Sequence, residues 1–206
     1  MALLFVDPLD LWLMLLGTTL LVTAYWVYQN FISQKGAEEI SRINRTLGFF
    51  YLPLGVYALL SGLWATAVWP LPGPYNIVLM DPWAIFGVAL IFFGLANIYG
   101  YKPVPLFYGV AALSVPVVVY GLVIWAKELT REPILAGLMY FALGLAGLIS
   151  PLLGYYGERT KIIAWAAIAL LIISGLISLW IGIEAAFSHV DRWSDWIPWY
   201  GTVSTG

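Results

Sequence analysis

Cysteine is absent from the 206 residues, histidine occurs once, and charged residues make up only 10% of the chain. The lack of cysteine excludes disulfides, iron–sulfur clusters and thiol chemistry. The single histidine, His189, cannot supply a bis-histidine haem, and the sequence has no cluster of histidines and carboxylates for a zinc or di-iron site. A formal net charge of −2 leaves no basic footprint for nucleic acid. We therefore expect no cofactor, no metal and no nucleic-acid partner.

Motifs of common enzymes are also missing. The GxGxxG and Walker patterns do not occur. Serines within the apolar stretches have no base in the same stretch that could activate them as nucleophiles. We expect the chain not to be an enzyme, and an enzyme acting on lipids is kept only as a third class of function.

Apolar residues are abundant instead, at 62% of the chain. A soluble chain of this size could not bury so much apolar surface in one core. The apolar runs are continuous over about twenty residues, which predicts transmembrane helices and not barrel strands. The start of the chain has no basic residue before its apolar stretch, so we expect it to belong to the mature protein. The predicted fold is all-α, with one six-helix transmembrane domain over residues 1–187. The six helices are predicted at 8–33, 47–69, 82–101, 104–126, 133–156 and 162–187.

Basic residues predict the orientation of the helices. They fall into two sets on opposite sides of the membrane, and the larger set is expected in the cytoplasm. Both termini are then extracytoplasmic, in a multi-pass protein of the cell membrane. The larger set is Lys35, Arg42, Arg45, Lys102, Arg159 and Lys161, and the smaller is Lys127, Arg131 and Arg192.

Tryptophan and tyrosine favour the headgroup layer of a membrane. The tail 188–206 has four of them between residues 193 and 200, which predicts an extracytoplasmic aromatic tail along the outer surface. A disordered tail is the alternative. Six more tryptophans fall near the predicted outer ends of the helices and are expected in the same layer. They are Trp12, Trp64, Trp69, Trp83, Trp125 and Trp180.

An acidic residue followed by proline precedes each odd-numbered predicted helix. Proline suits the first helical position, and a carboxylate just before it can cap the free N–H groups. Each even-numbered helix in turn has a Gly-Leu step. The acidic residues are Asp7, Asp81 and Glu132, and the glycines are Gly62, Gly121 and Gly175.

These two patterns indicate one unit used three times. The units are helical hairpins over 7–69, 81–126 and 132–187, all with the same orientation, and so they form parallel repeats about an axis along the membrane normal. Coincidence is the competing explanation, because glycine and leucine are common in this sequence.

Small residues spaced by four favour close helix contacts in lipid. Such ladders occur on the fifth and sixth helices, and we expect them to pack helix on helix or protomer on protomer. A pore wall is the less favoured alternative. The residues are Ala146, Ser150 and Gly154 on the fifth helix, and Ser174, Ser178 and Gly182 on the sixth.

Uncharged polar residues within the predicted helices are candidates for the lining of an axial path. The alternative is that each bonds a neighbouring helix. Glu184, near the outer end of the last helix, is a candidate for an outer mouth or a carboxylate that simply reaches interfacial water. The axial candidates are Thr23, Ser61, Asn97, Tyr120 and Ser174.

Two short motifs resemble a known channel family. Asp7-Pro8-Leu9 is similar to the Asn-Pro opening of the first helix in the acetate–succinate channel family, and Gly100-Tyr101-Lys102 resembles that family's tyrosine–lysine turn. The three-hairpin layout over residues 7–187 resembles both that family and the urea/amide channels. The resemblance implies a six-helix bundle around a narrow solute path, with protomers arranged in a ring. The sequence is also similar to an uncharacterised family of archaeal and bacterial multi-span proteins.

The sequence therefore favours a passive channel or facilitator for a small neutral solute or a protonated weak acid. We expect it to form a homo-oligomer in the lipid bilayer. The rival hypothesis is a cofactor-free structural subunit of a larger membrane complex, for example a respiratory assembly. Small-residue ladders fit both hypotheses equally well.

Overall fold

The computed structural model describes residues 8–71, 73–101, 104–154 and 159–191. This part of the chain is almost entirely helical and contains no strand. Six helices are long and apolar enough to cross a membrane, so the predicted all-α fold with six spans is confirmed. The helices are α1 (Leu9–Phe31), α2 (Ala37–Val68), α3 (Pro74–Tyr99), α4 (Val104–Lys127), α5 (Pro133–Ile149), which a short 3-10 helix (Ser150–Gly154) extends, and α6 (Arg159–Asp191).

Helix α2 begins at Ala37, ten residues before its predicted start. The polar stretch 34–46 was expected to be a break between helices, but most of it is the first three turns of α2. Glu38 and Glu39 lie in the first turn, where carboxylates complement the helix dipole. The Lys35 ammonium lies 2.7 Å from the Glu39 carboxylate, and the hydrogen bond between them raises the pKa of Lys35. Charge alone therefore does not end a helix outside the lipid.

Helix α3 begins at Pro74, eight residues before its predicted start, so Asp81 and Pro82 lie inside the helix. The prediction that Asp81 opens this helix is wrong, because Pro74 already occupies the first turn. Pro133 does begin α5, but Glu132 caps it without a side-chain hydrogen bond. Asp7 lies outside the described residues. Acidic residues before proline are thus not the common capping device that the sequence indicated.

Two predicted ends also move. Helix α5 gives way to a 3-10 helix at Ser150, just before Pro151, and its predicted last residues, 155 and 156, lie outside the described part. Helix α6 continues to Asp191, so the beginning of the predicted tail is helical. The four aromatic residues of that tail, between 193 and 200, lie outside the described residues.

Three helix pairs pack most extensively: α2 with α3, α4 with α5, and α6 with α1. Each pair joins the second helix of one predicted hairpin to the first helix of another. Helices within a hairpin contact each other less, least of all α1 with α2. The bundle therefore closes in a ring of three pairs, with α6 meeting α1 to complete it.

The three pairs share one contact geometry, in which two glycines meet. A Cβ atom added at Gly55 would lie 3.0 Å from the Gly87 carbonyl oxygen. A Cβ atom added at Gly121 would lie 3.1 Å from the Gly137 carbonyl oxygen, and one added at Gly175 would lie 3.0 Å from the Gly17 carbonyl oxygen. Without a hydrophobic force between helices in lipid, such close backbone contact is a main source of their association.

This geometry corrects the predicted alignment of the even helices. Gly55 occupies the position that Gly121 and Gly175 have in their pairs, while Gly62 lies seven residues further along α2. Gly62 faces Ala84 on α3, much as Gly182 faces Met14 on α1. The Gly-Leu motif misled here because α2 has glycines spaced by seven at 48, 55 and 62, and only Gly62 is followed by leucine.

Candidate functional site

A cavity of about 180 Å³ lies at the centre of the bundle. Residues of α1, α3 and α5 form most of its wall, α4 contributes the stretch between Phe107 and Val117, α6 contributes Ala167 and Leu171, and α2 contributes none. The large exposed apolar side chains lie mainly on α2, α4 and α6. The odd-numbered helices are therefore the inner ones.

Two layers of the cavity wall follow from the shared pair geometry. Three residues after the paired glycines Gly17, Gly87 and Gly137 come Leu20, Leu90 and Tyr140, and all three line the cavity. Three residues further on, a second layer also lines it. This second layer is Thr23, Phe93 and Leu143. On each inner helix, the glycine therefore faces a partner helix, and the residues three and six positions later face the common centre.

A cluster of aromatic rings borders the cavity at the end where α1 begins. The rings of Trp12 and Trp83 stack with centroids 5.3 Å apart and planes 13° from parallel. Phe86 extends the stack, 5.6 Å from Trp83. The indole N–H of Trp12 donates to the Tyr57 hydroxyl at 3.2 Å, and that of Trp83 donates to Ser61 Oγ at 3.0 Å. These hydrogen bonds fix both tryptophans against α2.

The prediction that Trp12 and Trp83 belong to the headgroup layer is wrong, since only 2% and 4% of their surfaces are exposed. Trp64, Trp69 and Trp180 are exposed on the even helices, as a headgroup layer requires. Trp12 and Trp83 are less exposed because they lie on inner helices.

A second aromatic cluster borders the other end of the cavity. Trp26 is only 1% exposed, and its ring meets Phe93 edge to face with centroids 4.7 Å apart. Phe107 from α4 lies 6.3 Å from the same ring. The Trp26 indole N–H donates to Asn97 Oδ1 at 2.8 Å, and Asn97 donates in turn to the Phe93 carbonyl. The Trp26 indole and the Asn97 side chain are therefore paired at this end.

Of the five predicted axial residues, Thr23 lines the cavity and the other four do not. Ser61 accepts the Trp83 indole, and Asn97 accepts the Trp26 indole. Ser174 donates to the Met139 carbonyl on α5 at 2.9 Å, which joins α6 to α5. A polar group in dry surroundings is costly unless paired, and neighbouring helices offer those partners. The alternative of bonds to a neighbouring helix therefore describes these residues.

Tyr120, the last of the five, belongs to a polar group that sequence reasoning missed. Its hydroxyl donates to Asp81 Oδ2 at 3.3 Å, and Thr66 donates to Oδ1 of the same carboxylate at 3.2 Å. Asp81 thus joins α2, α3 and α4 about 10 Å inside the start of α3. The sequence did not predict Asp81 within a span, because α3 was expected to start after it.

The predicted packing residues lie mostly between helices. Ser178 donates to the Leu13 carbonyl at 2.7 Å, and Gly182 packs on the same turn of α1. Gly154 faces Val104 of α4. Ser150 Oγ lies 3.3 Å from the Phe107 carbonyl oxygen of α4, and both Ser150 and Ala146 line the cavity.

Charged groups of the described residues lie outside the cavity wall. Glu184 is exposed on α6, about two turns before its end, and does not reach the cavity. His189 lies 3.6 Å from the Asp10 carboxylate, where the end of α6 meets the start of α1. The described residues contain no group of three or more histidine, aspartate or glutamate side chains that could hold a metal ion. The cavity is therefore a neutral and mainly apolar space.

Comparison with known proteins identifies a family and no close functional relative. No curated protein matches the chain, and no solved structure matches it. A family model described as "Protein of unknown function (DUF981)" matches residues 1–192, nearly the full length. The chain therefore belongs to the DUF981 family.

Proposed function

We propose that this protein is a passive channel or facilitator for a small neutral solute, or for a weak acid in its protonated form. The length of the central cavity carries the proposal. Its wall runs along α1 from Leu9 to Val27, which is about 27 Å at 1.5 Å per residue. The hydrocarbon core of a bilayer is about 30 Å thick. A cavity of this length approaches both surfaces of the membrane.

The chemistry of the wall supports a neutral solute. None of its residues is charged, and an ion would find no partner there to replace its water. A protonated acid carries no net charge and can enter such a space. Urea and other solutes with many hydrogen-bonding groups fit it less well than solutes with an alkyl part.

The two tryptophan clusters act as constrictions at the ends of this path. Trp12 and Trp83 with Phe86 form one, and Trp26 with Phe93 forms the other. Passage requires these rings to move aside, so the path excludes bulky solutes. The three-hairpin layout that resembles the urea/amide and acetate–succinate channels is consistent with this role.

The alternative function is a structural subunit of a larger complex. The small-residue ladders do not separate the two functions, because they contact helices of the same chain, as Ser178 and Gly182 do with α1. A homo-oligomer, a location in the cell membrane and extracytoplasmic termini stay predictions of the sequence.

Proteoliposome flux measured by stopped flow tests the proposal. Uptake of short-chain carboxylic acids, alcohols and small amides should exceed that of empty vesicles, with the amides slowest. In Ala89→Phe, a ring fills the cavity from its α3 wall, and uptake should fall to near the level of empty vesicles. Ala112→Phe places the same ring on the exposed face of α4 and should leave uptake unchanged. Uptake by the wild type that never exceeds empty vesicles would contradict the proposal.

A further inference from the structure

The cavity wall contains seven side chains with a hydroxyl or indole donor, and six of them use it within the protein. The three indoles of Trp12, Trp26 and Trp83 donate to Tyr57, Asn97 and Ser61. The three aliphatic hydroxyls donate to main-chain carbonyls of their own helices. Those bonds are Thr23 to Thr19 at 2.8 Å, Ser114 to Val110 at 2.8 Å, and Ser150 to Gly147 at 2.7 Å.

Tyr140 is the seventh, and its hydroxyl makes no hydrogen bond to any of the described residues. The side chain is 6% exposed, so it is buried as deeply as the core around it. Yet its oxygen is not among the buried polar atoms that are both unpaired and sealed, which in the described part are Gln29 Oε1 and Thr130 Oγ1. Because the oxygen is unpaired but not sealed, it keeps some accessible surface, and Tyr140 is one of the residues that line the cavity.

Tyr140 is the polar residue of its layer in the cavity wall. Leu20 and Leu90 occupy the two equivalent positions of this layer, and neither has a polar side chain. A buried hydroxyl without a partner is unfavourable by roughly 1–3 kcal/mol, so a sequence that needed only to fill this position would have a third leucine or a phenylalanine. A ligand that accepts a hydrogen bond removes this cost.

We propose that the cavity binds a slender, mainly apolar molecule with one hydrogen-bond acceptor, such as a carbonyl oxygen, and that the Tyr140 hydroxyl donates to that acceptor. This assignment rests on the cavity proposed above as the solute path and names the class of solute. The apolar part of the ligand lies along the aliphatic and aromatic wall. An apolar cavity of about 150 Å³ binds a benzene-sized molecule, so a chain of several carbons fits in this one.

Binding to the protein in lipid nanodiscs, followed by fluorine NMR, tests the assignment. The probes are 2-heptanone with a terminal trifluoromethyl group and its alkene analogue, in which a CH₂ group replaces the carbonyl oxygen. Empty nanodiscs give the partitioning of each probe into lipid. In Tyr140→Phe, we expect ketone affinity to fall roughly two- to tenfold, as the loss of one hydrogen bond predicts. Alkene affinity should stay the same, which also shows that the cavity is intact.

Tyr25→Phe is the matched control, because Tyr25 is 45% exposed on α1 and absent from the cavity wall. It should bind both probes like the wild type. Equal ketone affinity in the wild type and Tyr140→Phe would overturn the assignment, and so would equal loss of both probes, since the hydroxyl would then support the fold. A protein that binds the ketone through Tyr140 but gives no vesicle uptake would contradict the facilitator role alone.

Discussion

Gly87 and Ala89 lie two residues apart on α3 and face opposite surroundings. A methyl group at Gly87 would meet the main chain of Leu59 and Ala58 on α2, where no room exists. Ala89 lines the central cavity, where space for several atoms is open. One helix thus combines a face that tolerates no added carbon with a face that leaves a void.

This contrast separates what holds the bundle together from what its centre can do. Glycine contacts hold the three helix pairs together, and each inner helix is fixed by the outer helix with which it pairs. The centre does not need to be filled for the inner helices to keep their places. Helix association in lipid depends on such close packing, since lipid tails are as apolar as leucine. A central cavity is consequently compatible with a stable fold.

The largest expected effect comes from adding a methyl group on the pair face. Gly87→Ala should destabilise the protein by about 1–3 kcal/mol, because the α2–α3 main chains must move apart. Gly109→Ala is the matched control, since a Cβ atom there would have no atom within 4 Å. Thermal unfolding in detergent, followed by circular dichroism, measures both. Equal melting temperatures of Gly87→Ala and the wild type would show that the α2-facing side of α3 has room for a methyl group.

Filling the cavity should have a smaller effect on stability. Ala89→Leu adds three carbons into open space, so we expect stability to change by less than about 1 kcal/mol. Ala58→Leu makes the same change on α2 at a site with no exposed surface and should destabilise by about 1–3 kcal/mol. The same unfolding assay compares the two. If Ala89→Leu unfolds as early as Ala58→Leu, the void is not available to side chains.

The number and type of helices could be predicted because hydropathy depends only on local composition. Helix ends were harder, since charges such as Glu38 can continue a helix beyond the lipid, and a proline such as Pro82 is tolerated inside a transmembrane helix. The predicted break at 34–46 and the predicted start at residue 82 failed for this reason.

The wall of the cavity could be predicted only in part. Thr23 was predicted at the axis and lines the cavity, whereas Tyr140 lines the cavity without having been predicted there. Nearly every residue of these helices is apolar, so periodicity does not show which face is inside. The useful signal was the glycine spacing: Gly87 and Gly137 fix the inward residues Leu90 and Tyr140 three positions later. This glycine spacing can be interpreted only when the helix pairs are known to join different hairpins.

The smallest expected effect sharpens the comparison at Thr23, the polar residue of the second layer. Its hydroxyl is committed to the Thr19 carbonyl, and Tyr51 Oη lies 3.4 Å away. Thr23→Val keeps the shape of the side chain, so a dry wall should lose no more than about 1 kcal/mol of stability and keep its solute uptake. Thr18→Val is the matched control, because Thr18 makes the same type of bond to Met14 on an exposed face. Uptake and unfolding should be alike in the two variants. A selective loss of uptake in Thr23→Val would mean that this hydroxyl, and not only Tyr140, bonds the solute, and that the centre is wetter than its wall indicates.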